Sequence, residues 1–139
     1  MKKPLALIAG EPNSISSEII FKFWKSKKKF YNNPIVVIGN KRLFDIKKEK
    51  FKYKISLKEI DVQMKNEFFN TSKIPVINVE FNQKVPFKKI SNNSSKYIFK
   101  CFDIALDLIK KKKVLGIVNC PISKENLFII KYQGITEYL

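Results

Sequence analysis

Short apolar runs alternate along the chain with longer segments in which apolar residues recur every three or four positions. The runs lie at 4–9, 35–38, 74–79 and 114–119, and runs of this length predict buried strands. The residues with helical spacing between the first two runs are Ile15, Ile19, Ile20, Phe23 and Trp24. The start of the chain therefore predicts a strand–helix–strand unit with parallel strands.

The clearest helix is predicted at 96–110, where one face is apolar throughout. That face carries Tyr97, Ile98, Cys101, Phe102, Ala105, Leu108 and Ile109. Weaker patterns predict a short helix near 43–46, an edge strand at 53–55 and a short helix from 123 to 130. We therefore expect an α/β fold with a mostly parallel sheet and helices on both faces. Residues 1–139 read as a single region without an internal boundary.

Three turns carry the polar residues on which candidate chemistry depends. Gly10-Glu11-Pro12 ends the first run, Pro121 and Lys124 follow the last run, and Gly134-Ile135-Thr136-Glu137 lies beyond them. Because the carboxyl ends of parallel strands meet at one edge of a sheet, we expect these turns to converge there. A lysine in a first helical turn is unfavourable unless an anion is near, so Lys124 indicates an anionic ligand.

The order and spacing of these turns resemble the 4-hydroxythreonine-4-phosphate dehydrogenase family. That family has a Gly-Glu-Pro turn after its first strand, a Pro-x-x-Lys after a central strand, and a Gly-His-Thr-Glu beyond it. The resemblance covers the whole chain but roughly the first two-fifths of the family's length. The chain also stops at Leu139, where an apolar helix is expected to begin. We therefore expect a fragment, an incomplete part of a larger two-domain dehydrogenase.

The resemblance implies an NAD-dependent enzyme of pyridoxal phosphate (vitamin B6, pyridoxine) biosynthesis. Such an enzyme oxidises a small phosphorylated hydroxy amino acid and then decarboxylates the product with the help of a divalent metal. The resemblance also implies a cytoplasmic homodimer. In the family three histidines beyond the matched region hold the metal, and this chain has no histidine. We therefore expect no metal site in this chain and no activity from it alone.

Four substrate-binding residues follow from the resemblance: Glu11, Lys124, Ile135 and Thr136. Thr136 keeps the family's hydroxyl, whereas Ile135 replaces a histidine and can neither donate nor accept a hydrogen bond. Structural alternatives are a turn residue for Glu11, a solvent-facing lysine for Lys124 and a helix N-cap for Thr136. Ile135 also leaves open a related NAD-dependent dehydrogenase with a different substrate. The sequence assigns no catalytic and no cofactor-binding residue.

The formal net charge of +16 raises a different alternative, a small basic nucleic-acid-binding protein. All basic residues except Arg42 are lysines, and they are spread over every segment. Base readout and phosphate clamping favour arginine, whose planar group donates two parallel hydrogen bonds. We interpret the lysines as solvated faces and helix ends, and we expect no nucleic-acid partner.

Two further features bear on the cellular setting. No segment approaches the ~18 consecutive apolar residues of a membrane span, so we expect no membrane partner. Cys101 and Cys120 form neither a metal-binding nor a disulfide pattern, and we interpret Cys120 as a small buried residue. These features favour a reduced, cytoplasmic protein.

Overall fold

A computed structural model of the protein describes residues 2–30, 33–69 and 71–123. Five strands form one sheet: β1 (Leu5–Ile8), β2 (Ile35–Gly39), β3 (Leu57–Ile60), β4 (Ile74–Asn78) and β5 (Gly116–Asn119). Three α-helices accompany them: α1 (Ser16–Phe30), α2 (Lys41–Lys50) and α3 (Ser95–Lys110). Two short 3-10 helices lie at Asn66–Phe69 and Asn92–Ser94.

The strand order is β3-β4-β2-β1-β5, and every pair of neighbours is parallel. Parallel neighbours cannot be joined by a tight turn, so the chain must cross over between strands. The crossovers after β1, β2 and β4 contain α1, α2 and α3 respectively. The expected α/β class with a parallel sheet is therefore confirmed.

The two faces of the sheet have separate apolar cores. Val36 and Ile38 of β2 point to one face and pack in a cluster with Phe102 of α3. Val37 points to the other face and packs in a cluster with Phe21 of α1 and with α2. This alternation follows from the two-residue period of a strand. Helices thus cover both faces, as the sequence predicts.

Both α2 and α3 end in a turn that uses lysine where glycine is usual. Lys52 and Lys112 have φ values of 57° and 56°, in the left-handed region. The next amides reach back across the last turn, from Tyr53 to the Lys48 oxygen and from Lys113 to the Leu108 oxygen, both at 2.9 Å. These bonds satisfy carbonyls that a helix end leaves without partners.

The predicted edge strand at 53–55 is wrong by a few residues, because β3 begins at Leu57. The reason is the end of α2, which takes the Tyr53 amide for its closing bond. The Tyr53 ring instead packs 5.2 Å from the Phe21 ring. The residues that pair with β4 follow this contact and begin at Leu57.

The last apolar run also differs from expectation. Val114 is buried, but β5 lies at an edge of the sheet and Val118 is 49% exposed. The prediction of a fully buried strand is therefore wrong for the described part of β5. Among the described helices, none is long and apolar enough to cross a membrane.

Candidate functional site

The turns after β1 and β5 touch each other at the carboxyl edge of the sheet. Gly10 has φ 74°, and a Cβ atom there would lie 2.6 Å from the Pro121 carbonyl oxygen. The next amide, that of Glu11, donates to the same oxygen at 3.0 Å. The two turns therefore converge as far as the structure describes them. Three candidate substrate-binding residues, Lys124, Ile135 and Thr136, lie outside the described residues.

Glu11 lies under this edge with only 2% of its surface exposed. One carboxylate oxygen accepts from the backbone amide of Asn13 at 3.1 Å, and the other accepts from the Ser94 hydroxyl at 3.1 Å. The side chain therefore ties the turn after β1 to the start of α3. Both oxygens have protein partners, and a contact between Glu11 and a substrate stays a prediction.

Lys47 of α2 lies on the other side of this turn and is 1% exposed. Its ammonium group donates to the Pro12 carbonyl and lies 4.6 Å from the centre of the Phe87 ring. Burial lowers the pKa of Lys47 to about 8, although the carboxylates of Glu11 and Glu18 oppose that shift. Lys47 thus joins α2, the turn after β1 and the loop that carries Phe87.

Lys47 is not among the predicted site residues, although the sequence carries a signal for it. The residue lies three and four positions after Phe44 and Leu43, on the buried face of α2. A lysine on an apolar helical face is unusual, because its charge must be paired or its pKa must fall. In a chain with 28 basic residues this one position does not stand out.

Asn13 connects the turn after β1 to the long loop after β4. Its side chain exchanges two hydrogen bonds with the Gln83 amide, at 2.8 and 3.2 Å, and accepts a third from the Lys88 backbone at 2.8 Å. Beside it lies a pocket of about 230 Å³. The residues that line the pocket include Asn82, Lys88, Lys89, Ser91 and Asn93. Ammonium, amide and hydroxyl donors of this kind suit an anionic group.

Asn40, between β2 and α2, forms a second buried polar link. Its side chain caps α2 by accepting from the Leu43 amide at 3.0 Å and donates to the Val79 carbonyl at 2.9 Å. Its backbone amide donates to the Tyr97 hydroxyl at 2.9 Å. Burial raises the pKa of Tyr97 well above its usual value, so this phenol stays neutral. A wider cleft of about 560 Å³ is lined by Asn40 and Arg42, among other residues.

Removing the Glu11 carboxylate should therefore destabilise the fold. We expect Glu11→Ala to lower the free energy of unfolding by about 2–4 kcal/mol, because two donors lose their acceptor and the Lys47 ammonium loses a nearby negative charge. Glu11→Gln should cost less than Glu11→Ala, since an amide oxygen can still accept one of the bonds. Urea unfolding of both variants at pH 7 measures the difference. Equal stability of Glu11→Ala and the wild type would show that these contacts contribute nothing.

The described residues do not fit a divalent metal, and the turn after β1 does not fit a dinucleotide. They contain no group of three or more Cys, Asp or Glu residues that could hold a metal ion, and the whole chain lacks histidine. In doubly wound folds the first turn after a strand holds a pyrophosphate where glycines let it approach. Here the Pro121 and Cys120 carbonyl oxygens fill the space beside Gly10. Carbonyl oxygens repel phosphate, so this turn is not a cradle for a dinucleotide.

A family model described as "pyridoxal phosphate biosynthetic protein PdxA" matches residues 31–139. The chain belongs to this family. Two curated PdxA-family relatives are named 4-hydroxythreonine-4-phosphate dehydrogenase. The one from Zymomonas mobilis is 23% identical over 141 residues, and the one from Caulobacter vibrioides is 27% identical over 140 residues. Each comparison covers 99% of this chain and 40% of the relative.

Solved structures show the same relationship between this chain and the PdxA family. A 4-hydroxythreonine-4-phosphate dehydrogenase from Klebsiella pneumoniae superposes with a TM-score of 0.81 at 26% identity, covering 99% of this chain and 42% of that one. A putative 4-hydroxythreonine-4-phosphate dehydrogenase from Salmonella typhimurium gives a TM-score of 0.76 at 26% identity, covering 90% and 39%. The chain thus spans about two-fifths of the length of these relatives.

Proposed function

We propose that this chain forms the N-terminal part of a 4-hydroxythreonine-4-phosphate dehydrogenase. The proposed reaction is the NAD-dependent oxidation of a phosphorylated hydroxy amino acid, followed by decarboxylation, in pyridoxal phosphate biosynthesis. The observation that carries the proposal is the family match over 31–139. A cytoplasmic homodimer of the full-length enzyme, without a nucleic-acid or membrane partner, belongs to the same proposal.

In this proposal the role of the chain is to bind and orient the substrate. The substrate phosphate carries between one and two negative charges near neutral pH. The pocket beside Asn13, with Lys88 and Lys89 on its wall, offers donors for such an anion. Lys124 and Thr136 are proposed as further substrate contacts. We assign the metal and the nicotinamide to residues that this sequence does not contain, because the described residues hold no metal-ligand cluster and the turn after β1 does not fit a dinucleotide.

The distribution of aromatic side chains supports this assignment over nucleic-acid binding. A protein that binds single strands stacks bases on exposed aromatic rings along a basic groove. Phe21, Phe102 and Tyr97 are instead buried in the two apolar cores. Their rings are therefore not accessible to a nucleic-acid base.

One position favours a second candidate, a related NAD-dependent dehydrogenase with another substrate. Ile135 stands where the resemblance expects a histidine, and its apolar side chain cannot hydrogen-bond a polar substrate group. A pocket that has lost one polar contact binds a polar substrate less well and tolerates a more apolar one. Both candidates carry out the family reaction, and their substrates differ in the chemical group that faces Ile135.

A chimaera provides the test. This chain would replace the matched two-fifths of the Klebsiella pneumoniae relative, and NADH formation from 4-phosphohydroxythreonine would be measured. We expect no NADH from the 139-residue chain alone and measurable turnover from the chimaera. We expect Ile135→His to raise kcat/KM by about 10-fold to 100-fold, the size of one regained hydrogen bond.

Lys3→His is the matched control and should leave kcat/KM unchanged. Lys3 precedes β1 and lies at the amino ends of the strands, away from the carboxyl ends that carry the candidate site. Inactivity of the folded chimaera both with and without the Ile135→His substitution would overturn the proposal. Turnover of a different hydroxy acid by the unsubstituted chimaera alone would establish the second candidate.

A further inference from the structure

The Lys47 ammonium group contacts both of the segments that form the pocket beside Asn13. It donates to the Pro12 carbonyl, and Pro12 directly precedes Asn13 in the chain. It also lies 4.6 Å from the centre of the Phe87 ring, and Phe87 directly precedes Lys88. Asn13 and Lys88 line the pocket, whereas Lys47 is not among its lining residues. We call this cavity of about 230 Å³ the Asn13 pocket. Lys47 therefore contacts both of its walls from outside it.

A hydrogen bond joins the two walls at the pocket itself. The backbone amide of Lys88 donates to the side-chain oxygen of Asn13 at 2.8 Å. This bond requires the turn after β1 and the loop after β4 to lie at one particular separation. The two Lys47 contacts hold that separation, because Pro12 and Phe87 are the chain neighbours of the two bonded residues.

The end of α2 holds Phe87 by two contacts. The Lys47 ammonium lies over the face of the Phe87 ring, where the negative face of the ring attracts a cation, more strongly where water is excluded. Phe51, one helical turn further along, packs its ring edge-on against Phe87 with the ring centres 5.7 Å apart. The loop after β4 is thus fixed to α2 at the residue before Lys88.

Packing alone does not explain a charge at position 47. Lys47 is 1% exposed, and no carboxylate of the described residues lies within 4.0 Å of its ammonium group. A buried charge without an ion pair is costly, and a methionine side chain would fill similar space without that cost. The ammonium group adds the two contacts to Pro12 and Phe87. Its pKa of about 8 leaves it mostly charged at pH 7, so both contacts form there.

We propose that Lys47 is a positioning residue for anion binding in the Asn13 pocket. It acts through the Pro12 carbonyl and the Phe87 ring, which determine where the two walls lie, and it does not touch the anion. The ligand class is the phosphate group of a small phosphate ester. The proposal rests on the anion site proposed above for this pocket, and it adds the residue that keeps the walls in place.

The first test measures phosphate binding by the 139-residue chain at pH 7. Inorganic phosphate is titrated in about 0.15 M NaCl, which screens the attraction of scattered lysines. The amide NMR shifts of Ser91 and Asn93 report on the pocket, because both residues line it. We expect a Kd on the order of 1 mM for the wild type, and Lys47→Met should raise it about tenfold.

Lys48→Met is the matched control. Lys48 also lies on α2 and donates to a backbone carbonyl of another segment, that of Ile55 at 2.9 Å, but it does not line the pocket or contact its walls. Its removal takes away the same charge and a similar bond. We expect Lys48→Met to change the phosphate Kd by less than about twofold. Equal effects of Lys47→Met and Lys48→Met would overturn the proposal, since Lys47 would then act only through charge or stability.

Phe87→Leu separates positioning from charge, because this substitution removes no charge. It should raise the phosphate Kd about fivefold. If Lys47 acts through Phe87, the double variant should raise the Kd by less than about twentyfold, whereas independent effects would multiply to about fiftyfold. Hydrogen exchange of the Lys88 amide should speed up at least about tenfold in Lys47→Met and in Phe87→Leu and stay unchanged in Lys48→Met.

Three further results would overturn the proposal. The first is a fiftyfold effect of the double variant, and the second is an unchanged Kd in Phe87→Leu, a result that decides the question even if Lys47→Met does not fold. The third is a wild type that binds no phosphate, which would overturn the anion site proposed for this pocket as well. Phosphate binding that Lys47→Met and Phe87→Leu leave unchanged would overturn this proposal alone and leave that site standing.

Discussion

Gly10→Ala should lower the free energy of unfolding by about 3 kcal/mol, a large effect for one added methyl group. Two costs combine at this position. The backbone at Gly10 has φ 74°, a conformation that costs other residues about 1–2 kcal/mol. The added Cβ would also lie 2.6 and 2.7 Å from the carbonyl oxygens of Pro121 and Cys120. Backbone atoms cannot swing aside as a flexible side chain can, so the turns after β1 and β5 would have to separate.

Gly116→Ala is the matched control for this experiment. Among the described residues, a Cβ at Gly116 would meet only the Leu5 side chain, at 3.4 Å, which is ordinary van der Waals contact. We expect Gly116→Ala to change the free energy of unfolding by less than about 1 kcal/mol. Urea unfolding of both variants and the wild type measures the two effects. Equal destabilisation by the two substitutions would contradict the close contact between the turns.

Local patterns predict most of the elements, because their signals are carried by neighbouring residues. The α3 face from Tyr97 to Leu108 is buried as its helical spacing predicts. The runs that form β2 and β4 are buried strands for the same reason, and β1 buries Ala6 and Ile8. The end of α2 could not be predicted from local patterns. Its closing turn uses Lys52 where glycine is the usual signal, so the predicted start of β3 is misplaced.

The strand order depends on contacts between distant residues. β1 lies between β2 and β5, and no local pattern states that Ile8 pairs with both Ile38 and Asn119. For the same reason, the edge position of β5 could not be predicted from its apolar composition. Composition indicates that a strand can be buried, and topology decides what covers it.

The candidate site was predictable only in its position. The carboxyl ends of parallel strands share one edge, and this rule is enough to place the Gly10 and Pro121 turns together. The partners of the site residues were not predictable. Ser94 reaches Glu11 across 83 positions, and Gln83 reaches Asn13 across 70. Contacts at that separation are fixed by the fold and leave no trace in local spacing.

Between pH 8 and pH 9 Lys47 should contribute a rise of about 1 kcal/mol to the free energy of unfolding. The folded state releases the Lys47 proton near pH 8, whereas the unfolded chain holds it to the ordinary pKa of 10.5. In this interval the unfolded state binds more protons, so raising the pH favours folding. Falling pH removes this contribution as it passes through the folded pKa.

Three other buried groups oppose the Lys47 contribution. Burial raises the pKa of Cys120 to about 11 and that of Cys101 to about 12, and it raises the pKa of Tyr97 as well. From about pH 8 upward the unfolded chain loses the two thiol protons, whose ordinary pKa is 9.0, while the folded chain keeps them. That difference favours unfolding and offsets most of the Lys47 contribution between pH 8 and pH 9, so the wild type's stability should change little in this interval and fall above it.

Two substitutions at Lys47 isolate its contribution. Lys47→Met has no group that titrates, and Lys47→Arg keeps a positive charge throughout this range because the guanidinium pKa exceeds about 12. Between pH 8 and pH 9 the wild type should therefore gain about 1 kcal/mol relative to each variant, whatever their stability at pH 7. The measurement is urea unfolding of the three proteins at half-unit pH steps. If the difference in stability between the wild type and Lys47→Met stays constant across this interval, the Lys47 pKa is not lowered by burial.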